Sequence, residues 1–325
     1  MLLKRPSELP SILLRVGTRG SSLAVGQAME VIEAIKRVYG DAMFELVKIR
    51  TRGDVEDSAK KISEPGIFTK EIDLELVRGN IDLAIHSLKD YPTKIPRGLA
   101  IAAIPKRLSR RDAIVPNIYR SLDEIPRGSL IGTSSMRRIS HVLYHRRDLR
   151  IKRIRGNVDT RIKKIGSDVD AVVLAEAGLQ RLRFRGYVPL DPRIITPQAG
   201  QGALAVVARE GSKAFEIASI IDDPISRVET SIERGFISLL GAGCRAPIGV
   251  TAIANRSFVR VLISLVSPDY SHRIYIDKIY DTTEVEDIVN MIMGEFESMG
   301  GMELVKEWEK AVTRQAIDLN TSSNL

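Results

Sequence analysis

The feature that most constrains the fold is a motif that occurs twice. Gly17-Thr18-Arg19-Gly20-Ser21-Ser22 follows the apolar run Leu13 to Val16, and Gly132-Thr133-Ser134-Ser135-Met136-Arg137-Arg138 follows Leu130-Ile131. Each copy reads as a strand, a Gly-Thr turn, a serine pair and a helix start, which is the opening of an α/β unit. Such a turn gathers backbone N–H groups, serine hydroxyls and the positive end of a helix dipole around one point, the arrangement with which helix N-termini hold anions. Taken singly, Ser21 and Ser135 read equally well as ordinary N-caps; repetition beside arginines favours binding. Two cradles predict two α/β lobes with a cleft between them.

The remaining pattern extends this. From Ile12 to about Leu204, apolar runs at Ile81 to Ile85, Leu99 to Ile104 and Ala171 to Ala175 alternate with helical spacings such as Ala28, Ile32, Ile35 and Val38. After about Ser226 the pattern changes to an amphipathic helix through Val228, Ile232, Phe236 and Leu239. Strands follow at Ile248 to Ala254, Phe258 to Val266 and Arg273 to Ile279, then helices near Val285 to Met299 and Met302 to Val312. A chain of 325 residues, 44% of them hydrophobic, exceeds one compact core. The expected fold is therefore α/β: two lobes plus a smaller C-terminal α+β domain.

Charge and cysteine content narrow the function. Forty-nine Lys and Arg against 41 Asp and Glu leave a net charge of +8, a modest excess suited to nucleic acid, an acidic lipid surface or a polycarboxylate. Only 5% of residues are aromatic and few interleave the arginines, which argues against nucleic acid. No apolar stretch reaches the roughly 20 residues of a membrane span. The start, MLLKRPSELPSILL, is interrupted by Lys4, Arg5, Pro6, Glu8 and Pro10 and lacks a signal peptide's apolar core. One cysteine and four histidines without ligand spacing predict no disulfide, no metal site and a cytoplasmic location.

Arginines crowd the region from Arg137 to Arg161, with Arg181, Arg183 and Arg185 beyond it. A guanidinium pairs with a carboxylate through two parallel hydrogen bonds, so a polycarboxylate is the natural partner. Arg155-Gly156-Asn157 reads as the turn between a strand and the helix carrying Arg161, which would aim both arginines into the cleft; Arg146, Arg147, Arg150 and Arg153 read as solvated. Lys89-Asp90-Tyr91-Pro92 follows a strand, where ligands bind in open α/β sheets. An aspartate there stabilises a cation or relays protons, unless it is a surface ion pair with Lys89. Cys244 lies in the turn-forming Gly241-Ala242-Gly243-Cys244-Arg245-Ala246-Pro247, where the adjacent Arg245 favours the thiolate. With no His and Asn set around it, such a thiol suggests attachment of a group; the plainer alternative is a small buried apolar residue.

Taken together these segments resemble the hydroxymethylbilane synthase (porphobilinogen deaminase) family over nearly the whole chain. The matching stretches are Gly17-Thr18-Arg19 with Ser21, Thr51-Arg52-Gly53-Asp54, His86-Ser87-Leu88-Lys89-Asp90, Gly132 to Arg138, Arg155-Gly156-Asn157 with Thr160-Arg161, Ala177-Gly178-Leu179 with Arg181, Gly200-Gln201-Gly202-Ala203, and Gly243-Cys244 with Pro247-Ile248-Gly249. The resemblance implies a transferase that deaminates four porphobilinogen molecules and joins them into the linear tetrapyrrole hydroxymethylbilane. It implies a dipyrromethane cofactor joined to Cys244 and held by Lys89, Asp90, Thr133, Ser134, Ser135, Arg137 and Arg138, with Asp90 catalytic. Substrate and the growing pyrrole chain would meet Arg19, Ser21, Gln27, Phe68, Arg155, Arg161 and Arg181. The implied architecture is two lobes like those of periplasmic binding proteins, residues 1–105 with 203–225 and residues 106–202, and a third domain, 226–325, in a monomer.

Two departures stand out. Pro65 occupies the place of a lysine in the family's lid, so that lysine's role does not carry over, and Arg245 stands where a neutral residue is common. A reading from another class is a two-lobed carboxylate-binding protein without catalysis, which has no need of Cys244 in a glycine loop.

Overall fold

The computed structural model of the chain describes residues 12–40, 42–52, 69–116, 118–241, 246–281 and 284–321, with side chains as far as 313. They fall into two compact units. The first holds the described residues up to Leu108, Arg181–Arg183 and Gly202–Arg227; the second holds Ser109–Gln180, Phe184–Gln201 and the described residues from Val228 onward.

The first unit is built on β1 (Leu13–Arg19), α1 (Ser22–Val38), β2 (Met43–Ile49), α2 (Lys70–Val77), β3 (Leu83–Ser87) and β4 (Leu99–Ala103), joined later by β10 (Leu204–Arg209) and α6 (Lys213–Ser219). Its sheet has the order β2-β1-β3-β10-β4; β1 runs parallel to β2 and β3, and β10 antiparallel to β3 and β4. Val31, Ile32 and Ile35 of α1 cover one face with Ala214 and Ile217 of α6, and Ile72 and Leu76 of α2 cover the other. A sheet buried on both faces needs continuous apolar strands, which is why Leu83 to Ile85 and Leu204 to Ala208 lack polar alternation.

The second unit repeats the plan with β5 (Asp112–Val115), β6 (Leu130–Gly132), α3 (Met136–His145), β7 (Arg150–Lys152), α4 (Val158–Ile162), β8 (Ala171–Ala175), α5 (Glu176–Arg181) and β9 (Val188–Pro189). The order is β7-β6-β8-β5-β9, a parallel trio followed by an antiparallel strand and an edge. Ile114, Ile131 and Val173 meet Val142 of α3 on one face, while Val115, Val172 and Leu174 meet Leu179 of α5 on the other, as the two-residue period of a strand requires.

The same unit contains a smaller sheet, β11 (Gly249–Ala254), β12 (Val259–Val266) and β13 (Arg273–Tyr280), antiparallel throughout. Its core joins α7 (Pro224–Leu239), α8 (Val285–Ser298) and α9 (Gly301–Thr321) through Ile232, Phe236, Ile292, Phe296 and Trp308. Trp308 fixes the last helix by donating its indole N–H to the Val266 carbonyl at 2.7 Å. The chain is thus α/β with a smaller α+β part, as the repeated motif and the change of pattern after about Ser226 together predict. Val38 and Leu239, read as parts of buried stripes, are instead about half exposed because each is the last residue of its helix. Among the described residues no helix is long and apolar enough to cross a membrane.

Candidate active site

Ligands of open α/β sheets gather outside the carboxyl ends of the strands, where the strand order reverses. In the first unit β1 lies between β2 and β3, so that point is the end of β1 and β3. Thr18 is buried there and its hydroxyl donates to the Ala24 carbonyl at 3.1 Å. The glycine before it leaves room for a neighbour: a Cβ on Gly17 would stand 2.3 Å from Cδ1 of Ile81, so the buried isoleucine would have to shift. Ser21 caps α1 by accepting from the Ala24 N–H at 3.3 Å, and Arg19 ends β1 half-buried. Gln27, buried on α1, donates from Nε2 to the Ser87 hydroxyl at 2.8 Å, which pins the helix to the last residue of β3.

The turn that follows, a single 3₁₀ turn from Leu88 to Asp90, is held firmly. Leu88 is buried and its N–H donates to the Ala203 carbonyl at 3.0 Å. His86 is buried against Asp73, Nε2 to Oδ1 3.0 Å, and stacks on Tyr91 with ring centroids 4.8 Å apart. Asp90 itself is exposed and has no hydrogen bond or ion pair with any described residue, so the Lys89–Asp90 surface pair does not form. An anchored turn thus presents a carboxylate that no described residue engages.

In the second unit the reversal falls at the ends of β6 and β8. A Cβ on Gly132 would lie 2.7 Å from Cδ1 of Ile154, so this glycine admits the neighbouring side chain as Gly17 does. Thr133 is buried and accepts the Ser135 N–H at 3.3 Å; Ser134 donates to the Ile154 carbonyl at 2.6 Å; Ser135 caps α3, accepting from the Arg138 N–H at 3.5 Å. These hydroxyls shape the helix start from which Arg137 and Arg138 project.

Both arginines are buried and meet one carboxylate, Asp112, the first residue of β5. Arg138 donates from Nε and Nη2 to Oδ1 at 3.0 and 2.8 Å, and Arg137 Nη1 stands 2.8 Å from Oδ2. Gln201 adds its Nε2 to Oδ1 at 3.0 Å. Burial pushes the Asp112 carboxyl up, but the two guanidiniums with their hydrogen bonds outweigh it and hold the group far below the usual carboxylate range. Burial, and secondarily the neighbouring Arg138 cation, lowers the pKa of Arg161. Among the described residues neither Arg161 nor Arg155 is ion-paired with a carboxylate. Two buried guanidiniums, Arg137 and Arg138, therefore share one carboxylate, with the partly buried Arg161 cation near Arg138, and among the described residues Nε of Arg137 is buried without a hydrogen-bond partner.

Other expected residues are placed differently. Arg181 donates from Nε to Glu30 at 2.8 Å and from Nη2 to the Gly202 carbonyl at 3.2 Å, so its charge is neutralised by the protein. Phe68 and Cys244 lie outside the described residues. Arg146, expected on a solvated face, instead binds the Leu122, Asp123 and Ile125 carbonyls and the Asp148 carboxylate, fastening the loop before β6. Asp112 was not singled out by the sequence; the available signal was an acidic residue opening an apolar strand directly after Arg110-Arg111.

A chain with an under-neutralised arginine cluster at one switch point and an uncommitted carboxylate at the other has the makings of an enzyme for polyanionic substrates. The family model for the porphobilinogen deaminase, dipyromethane cofactor binding domain, matches residues 14–216. This chain belongs to the porphobilinogen deaminase family and is a transferase. A probable porphobilinogen deaminase of Nitrosopumilus maritimus is 38% identical over 301 residues, 91% of this chain and 97% of its own length. The porphobilinogen deaminase of Thermus thermophilus is 39% identical over 297 residues, covering 90% and 98%. Among solved structures, the methionine binding protein MetQ is similar with a TM-score of 0.40 and 13% identity, over 64% of this chain and 89% of that one.

The cofactor of that domain is dipyrromethane, and the residues present fit it. Its two pyrroles carry acetate and propionate groups, which match the excess of guanidiniums over carboxylates and the unpartnered N–H of Arg137.

Proposed function

We propose that the protein is a hydroxymethylbilane synthase that deaminates four porphobilinogen molecules and joins them head to tail, on a dipyrromethane held covalently by Cys244. The observation that supports this most is the surplus of positive charge where buried Arg137 and Arg138 share the single carboxylate of Asp112 and the partly buried Arg161 lies near Arg138, a surplus that an anionic ligand would balance. Arg137 and Arg138, positioned by Asp112 and by the Thr133-Ser134-Ser135 turn, would hold the cofactor's carboxylates with Lys89. When bound, the dipyrromethane supplies the terminal pyrrole carbon to which incoming units are joined.

Arg155 and Arg161, paired with no carboxylate among the described residues, would take the acetate and propionate of incoming porphobilinogen, with Arg19, Ser21, Gln27 and Phe68 around it. Asp90 has the chemistry for the central step. As ammonia leaves the aminomethyl group, positive charge spreads over the pyrrole, and a fixed carboxylate offsets that charge and accepts the pyrrole N–H. The exposed, otherwise unengaged side chain on a turn anchored by Leu88 and His86 suits this role. Arg181, tied to Glu30, would act on substrate only by exchanging that partner. The division into residues 1–105 with 203–225, 106–202 and 226–325, and a cytoplasmic monomer, complete the proposal.

Intact mass tests it. Protein exposed to porphobilinogen should exceed its sequence mass by one dipyrromethane, and Cys244→Ser protein should not. An unmodified mass in folded, porphobilinogen-treated protein would overturn the assignment.

A further inference from the structure

Five residues from α3, loop 191–201 and the small sheet, Arg137 among them, close a ring of hydrogen bonds. Its Nη1 donates to the Thr196 carbonyl at 2.6 Å. The Thr196 hydroxyl donates to the Pro192 carbonyl and accepts from Nη2 of Arg273 at 3.3 Å. Nε of Arg273 donates to the Ser264 hydroxyl at 2.6 Å, and that oxygen stands 2.9 Å from Nε2 of His141. Nδ1 of His141 completes the ring at the carbonyl of Arg137, 2.7 Å away. His141, Thr196 and Ser264 are wholly buried, and Arg273 is braced by the Tyr275 ring, 4.1 Å from its guanidinium carbon.

The donors and acceptors fix the state of the imidazole. A carbonyl can only accept, so Nδ1 carries the hydrogen. Ser264 already accepts from Arg273, so its own hydrogen is available to the bare Nε2. A cationic ring would place a third positive charge beside Arg137 and Arg273, and burial together with those cations holds His141 down at about 3. The neutral Nδ1–H form gives both imidazole nitrogens and the Ser264 hydroxyl a partner.

We propose that His141 is a positioning residue, which ties the main chain of Arg137 to Ser264 of β12 and so fixes where the Arg137 guanidinium stands relative to the small sheet. Arg137 heads α3, whose first turn carries the carboxylate-binding cluster, and a helix held only by its apolar face slides more readily than one bonded at both ends of a side-chain ring. The inference rests on the cofactor-holding role proposed for Arg137.

Ser264→Ala removes the link while leaving helix, imidazole and sheet in place. It should lower kcat for porphobilinogen roughly 10- to 100-fold, the size seen when a group supporting a binding residue is lost, with KM unchanged because Arg155 and Arg161 lie outside the ring. In an Arg137→Lys background the same change should add nothing, since it acts through Arg137. Independently, nitrogen chemical shifts of His141 in the unsubstituted protein should show Nδ1 protonated and Nε2 bare. An unchanged kcat, a loss confined to KM, losses that multiply in the double variant, or a bare Nδ1 would each overturn the inference. If the unsubstituted protein consumes no porphobilinogen, the enzyme assignment fails, and the nitrogen shifts alone then judge the ring.

Discussion

Asp112 sits in the protein interior between two guanidiniums while Asp90 stands in solvent at the tip of a turn, and the two carboxylates should respond oppositely to loss of charge. Asp112→Asn leaves Arg137 and Arg138 buried without a counter-charge, which costs about 3–5 kcal/mol of stability in urea titration. Asp90→Asn should leave that titration within about 0.5 kcal/mol and slow porphobilinogen consumption about 10²- to 10⁴-fold. His141 gives a third residue-scale expectation. Its folded pKa of about 3 lies below the ordinary value of 6.5, so the unfolded chain takes up the proton first as pH falls. The His141 contribution to stability is therefore flat above about pH 6.5 and declines below it by up to about 1.4 kcal/mol per pH unit until about pH 3. The faces around the ring carry Arg137, Arg273 and His145, and His145, also lowered chiefly by burial, slopes in the same sense. The difference in urea midpoint between the protein and His141→Gln, followed from pH 7 to pH 5 before most carboxylates titrate, isolates the His141 contribution; parallel curves would refute the assignment.

At the scale of elements, the two Gly-Thr turns show why local pattern was a good guide. Strand, glycine, capping serine and helix are each determined by residues within one turn of each other, so the sequence alone located β1, α1, β6 and α3 and both caps. What escaped it depends on partners distant in the chain. Asp112 pairs with arginines 25 and 26 residues away and with Gln201, and β5 enters its sheet antiparallel beside β8; no local period encodes either. Arg146 looked solvated because the carbonyls it binds belong to a loop about 20 residues earlier. The seam of loop 191–201 with β11 is another such case. Val250 donates to the Pro197 carbonyl at 2.8 Å, and a Cβ on Gly249 would fall 2.4 Å from the Thr196 carbonyl oxygen. That oxygen is backbone and is already held by Arg137, so it has little room to yield. Gly249→Ala should lose about 1–3 kcal/mol, read as a lower Tm.

For the whole molecule, the partition of bonds predicts how it unfolds. The second α/β sheet and the small sheet are stitched by His141 to Ser264, Arg273 to Thr196 and Val250 to Pro197, and Glu233 adds a bond to the Gly200 N–H at 2.7 Å while accepting from Ala252 at 2.9 Å. Buried polar networks of this kind melt together, because breaking one member exposes the desolvation cost of the others. The first unit has its own two cores on either face of its sheet. Calorimetry should accordingly resolve two transitions, and the arginine cluster identifies which is which. Arg137, Arg138 and Arg161 all belong to the second unit, so an anion bound there stabilises that unit alone. Citrate, a tricarboxylate, at 100 times its Kd adds about 2.7 kcal/mol to whatever binds it. The transition it raises should be the one that Gly249→Ala lowers, with the other unmoved. A single transition, or two that shift together, would mean that the chain unfolds as one cooperative body.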